Sequence, residues 1–103
     1  MRVVFIGTGK IGVPTLHALL RSEEHQLAAV VTQPDKPVGR DQRIEPSAIK
    51  KALAGTKIPI LQPVRIKDRQ SIEDITARSP EAIVVMAYGQ ILPREILDRK
   101  SVV

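Results

Sequence analysis

The chain has no cysteine. That excludes disulfides, thiolate metal sites and a cysteine nucleophile together, and two histidines alone make a poor zinc site, so no metal is expected. Aromatic residues are almost as scarce. Phe5 and Tyr88 are the only two, too few for the stacking platform that grips single-stranded nucleic acid. No apolar run approaches the ~18 residues of a membrane-spanning helix, and Met1-Arg2 leads straight into "VVFIG" rather than into a signal peptide. A cytoplasmic protein with no membrane partner is the expectation.

Hydrophobic residues make up 43% of the 103 positions and charged ones 26%, which suits one packed domain with no internal boundary and argues against disorder. Sixteen Lys and Arg against eleven Asp and Glu give a net charge of +5. Such a surplus is compatible with a polyanionic partner without requiring one.

The pattern along the chain alternates strands with helices. Residues 2–6, "RVVFI", are a short apolar run stopped by Gly7, as in a strand buried on both faces. Pro14 suits the first turn of a helix carrying Leu16, Leu19 and Leu20. "LAAVVT", 27–32, is a second strand, followed by a long loop to Pro46, where a helix with Ala48, Ile49, Ala52 and Leu53 on its apolar face should start and Gly55 should end it. "IPIL", 58–61, is a weaker third strand. Asp68 is placed to cap a helix that buries Ile72 and Ile75, with Pro80 beyond it. "AIVVM", 82–86, is the fourth strand, Pro93 opens a short helix "PREILDR", and "SVV" reads as an element beginning. This alternation predicts an α/β, doubly wound parallel sheet of Rossmann-like type, in the order 3-2-1-4.

That order leaves strand four at an edge, yet "AIVVM" has none of the charge, proline or brevity that protects edges. It reads as an interior strand, so the expected sheet is incomplete and the chain is about half of a larger domain. Self-pairing of strand four with its copy is the less favoured way to cover the edge, and the oligomeric state stays open.

Ligands on such sheets bind beyond the carboxyl ends of the strands, where three loops lie: "GTGKIG", "QPDKPVGRDQRIE" and "AYGQIL". Gly7, Gly9 and Gly12 have the G-x-G-x-x-G spacing of a dinucleotide cradle. The acidic residue that should close strand two and hold the ribose is replaced by Thr32 and Gln33, with Asp35 past a proline. A turn required only by strand-to-helix geometry accounts for the glycines better than a nicotinamide cofactor does. Gly89 could place backbone amides beside a ligand, with Ile91 and Leu92 as an apolar wall or merely as caps on the core. His17 and His25 have no carboxylate or nucleophile partner in view, and no catalytic constellation is apparent.

"VVTQPDKPVGR", then "EPSAIK", "PILQP" and "VVMAYGQILP" together resemble, in order and spacing over nearly the whole chain, the amino-terminal part of the catalytic domain in the methionyl-tRNA formyltransferase family. "FIGT" fits too, although that family more often has proline and an aromatic or apolar pair at Gly9, Lys10 and Ile11. The resemblance implies a transferase moving a formyl group from 10-formyltetrahydrofolate to the methionine amino group of initiator tRNA, in translation initiation. It implies that Gly7 and Thr8 belong to the active-site loop. It implies that Tyr88, Gly89, Gln90, Ile91 and Leu92 meet the pterin of the folate, and that Lys36, Arg40 and Arg43 reach toward the acceptor end of the tRNA. Arginine suits phosphate because its planar fork donates paired hydrogen bonds, and Asp35, Asp41 and Glu45 offset the three cations, so particular contacts are expected rather than bulk attraction. The family's reactive asparagine and histidine lie in an N-x-H motif past the segment matching "ILDRKSVV", with an aspartate beyond, so the resemblance implies no catalytic residue within these 103 positions and no activity for this piece alone. Relatives that formylate a glycinamide ribonucleotide or a sugar amine share the folate half, but "TQPDKPVGR" favours the tRNA enzyme. The alternatives are a noncatalytic folate- or RNA-binding module and, less favoured, a nicotinamide-binding domain.

Overall fold

A computed structural model describes residues 1–97. Strand β1 (Arg2–Gly7) runs through a single 3-10 turn (Lys10–Gly12) into helix α1 (Val13–Arg21), then β2 (Gln26–Val31). A hairpin of β3 (Lys36–Val38) and β4 (Arg43–Glu45) follows, then α2 (Ala48–Ala52), β5 (Ile60–Leu61), α3 (Arg69–Thr76), β6 (Ala82–Met86) and α4 (Arg94–Leu97). The expected "SVV" element and the end of "PREILDR" lie outside the described residues.

Four strands form one parallel sheet in the order β5-β2-β1-β6, which is the expected 3-2-1-4. Side-chain alternation divides the core between its faces. Val4, Ile6, Val31 and Ile83 pack on one side with Ile75 of α3 and Ile96 of α4. Phe5, Val30 and Leu27 pack on the other with Leu16 of α1 and Ile49 of α2. Leu27 and Ala29 go to opposite faces because the β1–β2 register slips between Val3 and Val4, which pair with Leu27 and Ala29. Ala28 is the extra residue of a bulge.

Three local expectations are corrected. The loop after strand two contains an antiparallel ribbon, with Lys36 opposite Glu45, Pro37 opposite Ile44 and Val38 opposite Arg43. The third strand spans only Ile60–Leu61, since Pro59 has no N–H to give a ladder. Helix α2 starts at Ala48 rather than at Pro46, because the Ser47 hydroxyl accepts the Lys50 N–H at 3.1 Å and sets the boundary. Asp68 does hold the N-cap position of α3, but its carboxylate accepts no capping bond. Strand β1 is also latched at its start: Arg2 donates to the Arg78 carbonyl at 2.7 and 3.1 Å, and its N–H reaches the Glu81 carboxylate.

Candidate functional site

The carboxyl ends of all four parallel strands lie on one edge of the sheet, and the crevice there opens between β1 and β6, where the connections diverge to opposite faces. Residue 87 marks this point. Ala87 has φ of 49°, a left-handed conformation costing a residue with a Cβ about 1–2 kcal/mol, and its carbonyl accepts the N–H groups of Thr8 and Gly9 at 3.0 and 3.1 Å. The same two amides would have to face a pyrophosphate in a dinucleotide cradle. They are already committed. The glycines serve packing instead: a Cβ on Gly7 would stand 2.6 Å from the Met86 carbonyl oxygen, and one on Gly12 3.0 Å from the Phe5 ring.

Next to this point lies the turn Ala87–Leu92. The Tyr88 ring is buried in the core beside Val4, Ile6 and Ile96, with 4% of its surface exposed. Its hydroxyl has no hydrogen-bond partner among the described residues, and burial pushes the phenol up to about 12. Gly89 holds φ of 104°, which only glycine adopts cheaply. Ile91 is 92% exposed while Leu92 packs against the core, so the expected aliphatic wall is split between solvent and interior. Among the described residues, the backbone groups of Gln90, Ile91 and Leu92 make no hydrogen bond. A cleft of about 270 Å³ lies here, lined by Gln90, Ile91, Arg65 and Lys67. An exposed aliphatic side chain beside uncommitted donors and acceptors suits a flat heterocycle with a polar edge.

The ribbon β3–β4 stands exposed beyond the end of β2, across the strand-one loop from that turn, with Lys36, Arg40 and Arg43 all solvent-facing. Lys36 and Arg43 sit on its strands and Arg40 in its turn, after Gly39 at φ of 71°. Two of the three carboxylates expected to offset these cations are engaged elsewhere. Asp35 is bound by Lys50 at 3.2 Å and Glu45 by Lys51 at 3.3 Å. Among the described residues no carboxylate is within ion-pair distance of Lys36, Arg40 or Arg43. A cleft of about 240 Å³ separates the ribbon from the strand-one loop, with Thr8, Gly9 and Lys10 on one wall and Lys36, Val38 and Glu45 on the other.

Between turn and ribbon runs a network of side-chain amides. Thr8 Oγ1 donates to the Tyr88 carbonyl at 2.9 Å and accepts the Gln33 N–H at 3.3 Å. Gln33 Nε2 donates to the same carbonyl, and Gln33 Oε1 accepts from Gln90 Nε2 at 2.9 Å. On its other side the Gln33 carbonyl accepts from Gln62 Nε2, which also donates to Asp35 Oδ1 at 2.8 Å. The bond from Gln62, and then that from Lys50, hold the Asp35 carboxyl below its ordinary value.

Residues 1–102 match the family described as formyl transferase. The chain belongs to that family. It is 47% identical over 98 residues to the methionyl-tRNA formyltransferase of Moorella thermoacetica, and 44% identical over 98 residues to that of Clostridioides difficile. A third such protein, from Citrifermentans bemidjiense, is 47% identical over the same length. In each case the match covers 95% of this chain, and it takes in 31, 31 and 30% of the three relatives. The chain therefore spans about a third of the length of these curated relatives.

Of the sequence-predicted positions, this formyl transferase chain brings Gly7, Thr8, Tyr88, Gly89 and Gln90 together at the crevice and carries Lys36, Arg40 and Arg43 away on the ribbon. His17 is exposed on α1 and His25 lies in the turn at the amino end of β2, away from the carboxyl ends of the strands. Sequence reasoning missed Gln33, Gln62, Lys50 and Ala87. An amide in a loop carries no periodic signal, and only the strand order shows that three of them meet. Among the described residues no group of His, Asp and Glu could hold a metal, and no helix is long and apolar enough to cross a membrane.

Proposed function

We propose that this formyl transferase chain is the donor-binding and tRNA-contacting portion of a methionyl-tRNA formyltransferase, with its reactive groups outside these 103 positions. The observation that carries the reading is the placement of the 88–92 turn after β6 and of the basic ribbon after β2, both beyond the carboxyl ends of one parallel sheet and on either side of the strand-one loop. The acceptor end of a tRNA held by the ribbon would thereby approach a folate held by the turn. 10-Formyltetrahydrofolate supplies the formyl group. Tyr88 and Gly89 shape the turn, the free backbone groups of Gln90, Ile91 and Leu92 read the pterin edge, and Ile91 covers a ring face. Gly7 and Thr8 hold the floor of the crevice through Met86, Ala87 and Tyr88. Lys36, Arg40 and Arg43 contact phosphates, Arg40 foremost because Gly39 lets the ribbon tip adjust to a paired contact. These roles orient two substrates so that the methionine amine lies beside the formyl carbon. A cytoplasmic location belongs with this reading.

Substituting Arg40→Ala in the full-length protein tests it. The expected result is a raised KM for methionyl-tRNA, with the KM for the folate donor unchanged and the salt slope of tRNA binding reduced by about 1. Equal loss for both substrates would overturn the assignment. Binding of folate and tRNA by a full-length protein that transfers no formyl group would favour the noncatalytic module instead.

A further inference from the structure

We propose that Gln33 is a positioning residue that couples folate binding at 88–92 to the placement of the basic ribbon; this rests on the functional reading above. The orientations of the three amides are dictated by partners that can act in one direction only. The Tyr88 carbonyl can only accept, which fixes Gln33 Nε2 toward it. The Ile66 N–H can only donate, which fixes Gln90 Oε1 toward it, while Gln90 Nε2 donates to the Val64 carbonyl at 2.8 Å and to Gln33. The Lys50 ammonium can only donate, which fixes Gln62 Oε1 and leaves Gln62 Nε2 for the Gln33 carbonyl and for Asp35. Gln33 is therefore held on every side, by Thr8 of the strand-one loop, by two residues of the folate turn and by Gln62 after β5.

The contact with the turn is close. A Cβ placed on Gly89 would lie 3.0 Å from Gln33 Nε2, so a ligand that fixes or shifts the turn acts on that amide directly. Displacement then passes along a stiff stretch. Pro34 has a fixed φ and restricts the residue before it to extended conformations, and the next residue, Asp35, is clamped by Lys50 and Gln62 at the root of β3. A folate that orders the turn removes part of the ordering cost which tRNA would otherwise meet at the ribbon.

The test measures binding of initiator methionyl-tRNA to the full-length protein with and without saturating tetrahydrofolate, which has no formyl group to transfer. In the wild type, tetrahydrofolate should tighten tRNA binding by roughly 5-fold or more. In Gln33→Leu that ratio should fall to about one. Gln62→Met frees Asp35 from one of its two clamps and leaves both side-chain bonds between Gln33 and the turn, so it should lower the ratio while folate affinity is kept, and it serves if the Gln33 variant does not fold. A merely structural role would weaken both affinities with the wild-type ratio preserved, and that result would overturn the proposal. A wild-type ratio of one with both ligands bound would also overturn it, leaving the functional reading intact. Failure of the wild type to bind either ligand would sink the functional reading, and the coupling with it.

Discussion

The phenol of Tyr88 is enclosed by Val4, Ile6, Ile66 and Ile96, and its hydroxyl is without a partner among the described residues. A buried hydroxyl that bonds to nothing costs stability, so Tyr88→Phe should stabilise the fold by about 1 kcal/mol, read as a higher urea midpoint at constant m. An unchanged or lowered midpoint would show that the hydroxyl is satisfied. Tyr88 is the only tyrosine of these 103 residues and tryptophan is absent from them, so in a polypeptide of residues 1–103 ultraviolet titration reports this one group. Its midpoint should lie at about 12 rather than the ordinary 10.0. The unfolded chain ionises first, so the stability contribution is whole below pH 10 and is lost as pH rises from about 10 to about 12. Gly7 makes the opposite demand on space. In Gly7→Ala the new methyl meets the Met86 carbonyl oxygen, a backbone atom of the neighbouring strand, and the expected cost is about 1–3 kcal/mol, read from the same denaturation curves. Gly89→Ala should cost stability, since its Cβ would press on the Gln33 amide, and on the proposed function it should also weaken folate binding.

The ribbon β3–β4 buries little: its residues are exposed except for half-buried Glu45. Two isolated strands are marginal in water, so its order depends on how its root is fastened. Lys50 and Lys51 of α2 fasten the two legs through Asp35 and Glu45. Exposed ion pairs contribute little to global stability, so Lys50→Met should leave the denaturation midpoint nearly unchanged. It should nevertheless speed amide hydrogen exchange across residues 36–45, because local opening is governed by local contacts. Equal protection in variant and wild type would mean that the root is held some other way. The Asp35 carboxyl is held below its ordinary value, so its contribution is present above the unfolded value of about 3.8 and is lost as pH falls through the folded one. Acid below that value should loosen the ribbon root. The ribbon was not legible from sequence because "KPV" and "RIE" show no apolar alternation, and Pro37 argues against a ladder position.

At the scale of the molecule, the described sheet ends on β6, whose Val84, Val85 and Met86 are half-buried. A polypeptide of residues 1–103 alone should therefore self-associate through that edge, and sedimentation that stays monomeric at rising concentration would contradict this. The strand order, and with it the edge that carries the strands' carboxyl ends, was legible in the sequence. Runs such as "RVVFI" and "AIVVM" announce buried strands, intervening helices force parallel pairing, and the right-handed crossover leaves few orders to choose among. Resemblance in "TQPDKPVGR" and "AYGQILP" likewise pointed to the family before any coordinates did. These signals are local, carried by neighbours in the chain. What only the tertiary structure decided is which polar groups meet. Gln33 and Gln90 are 57 positions apart, Gln33 and Gln62 29 apart, and their hydrogen bonds exist because parallel strands deliver all three to one edge. A hydrogen bond depends on distances of a few tenths of an ångström, which no periodicity encodes.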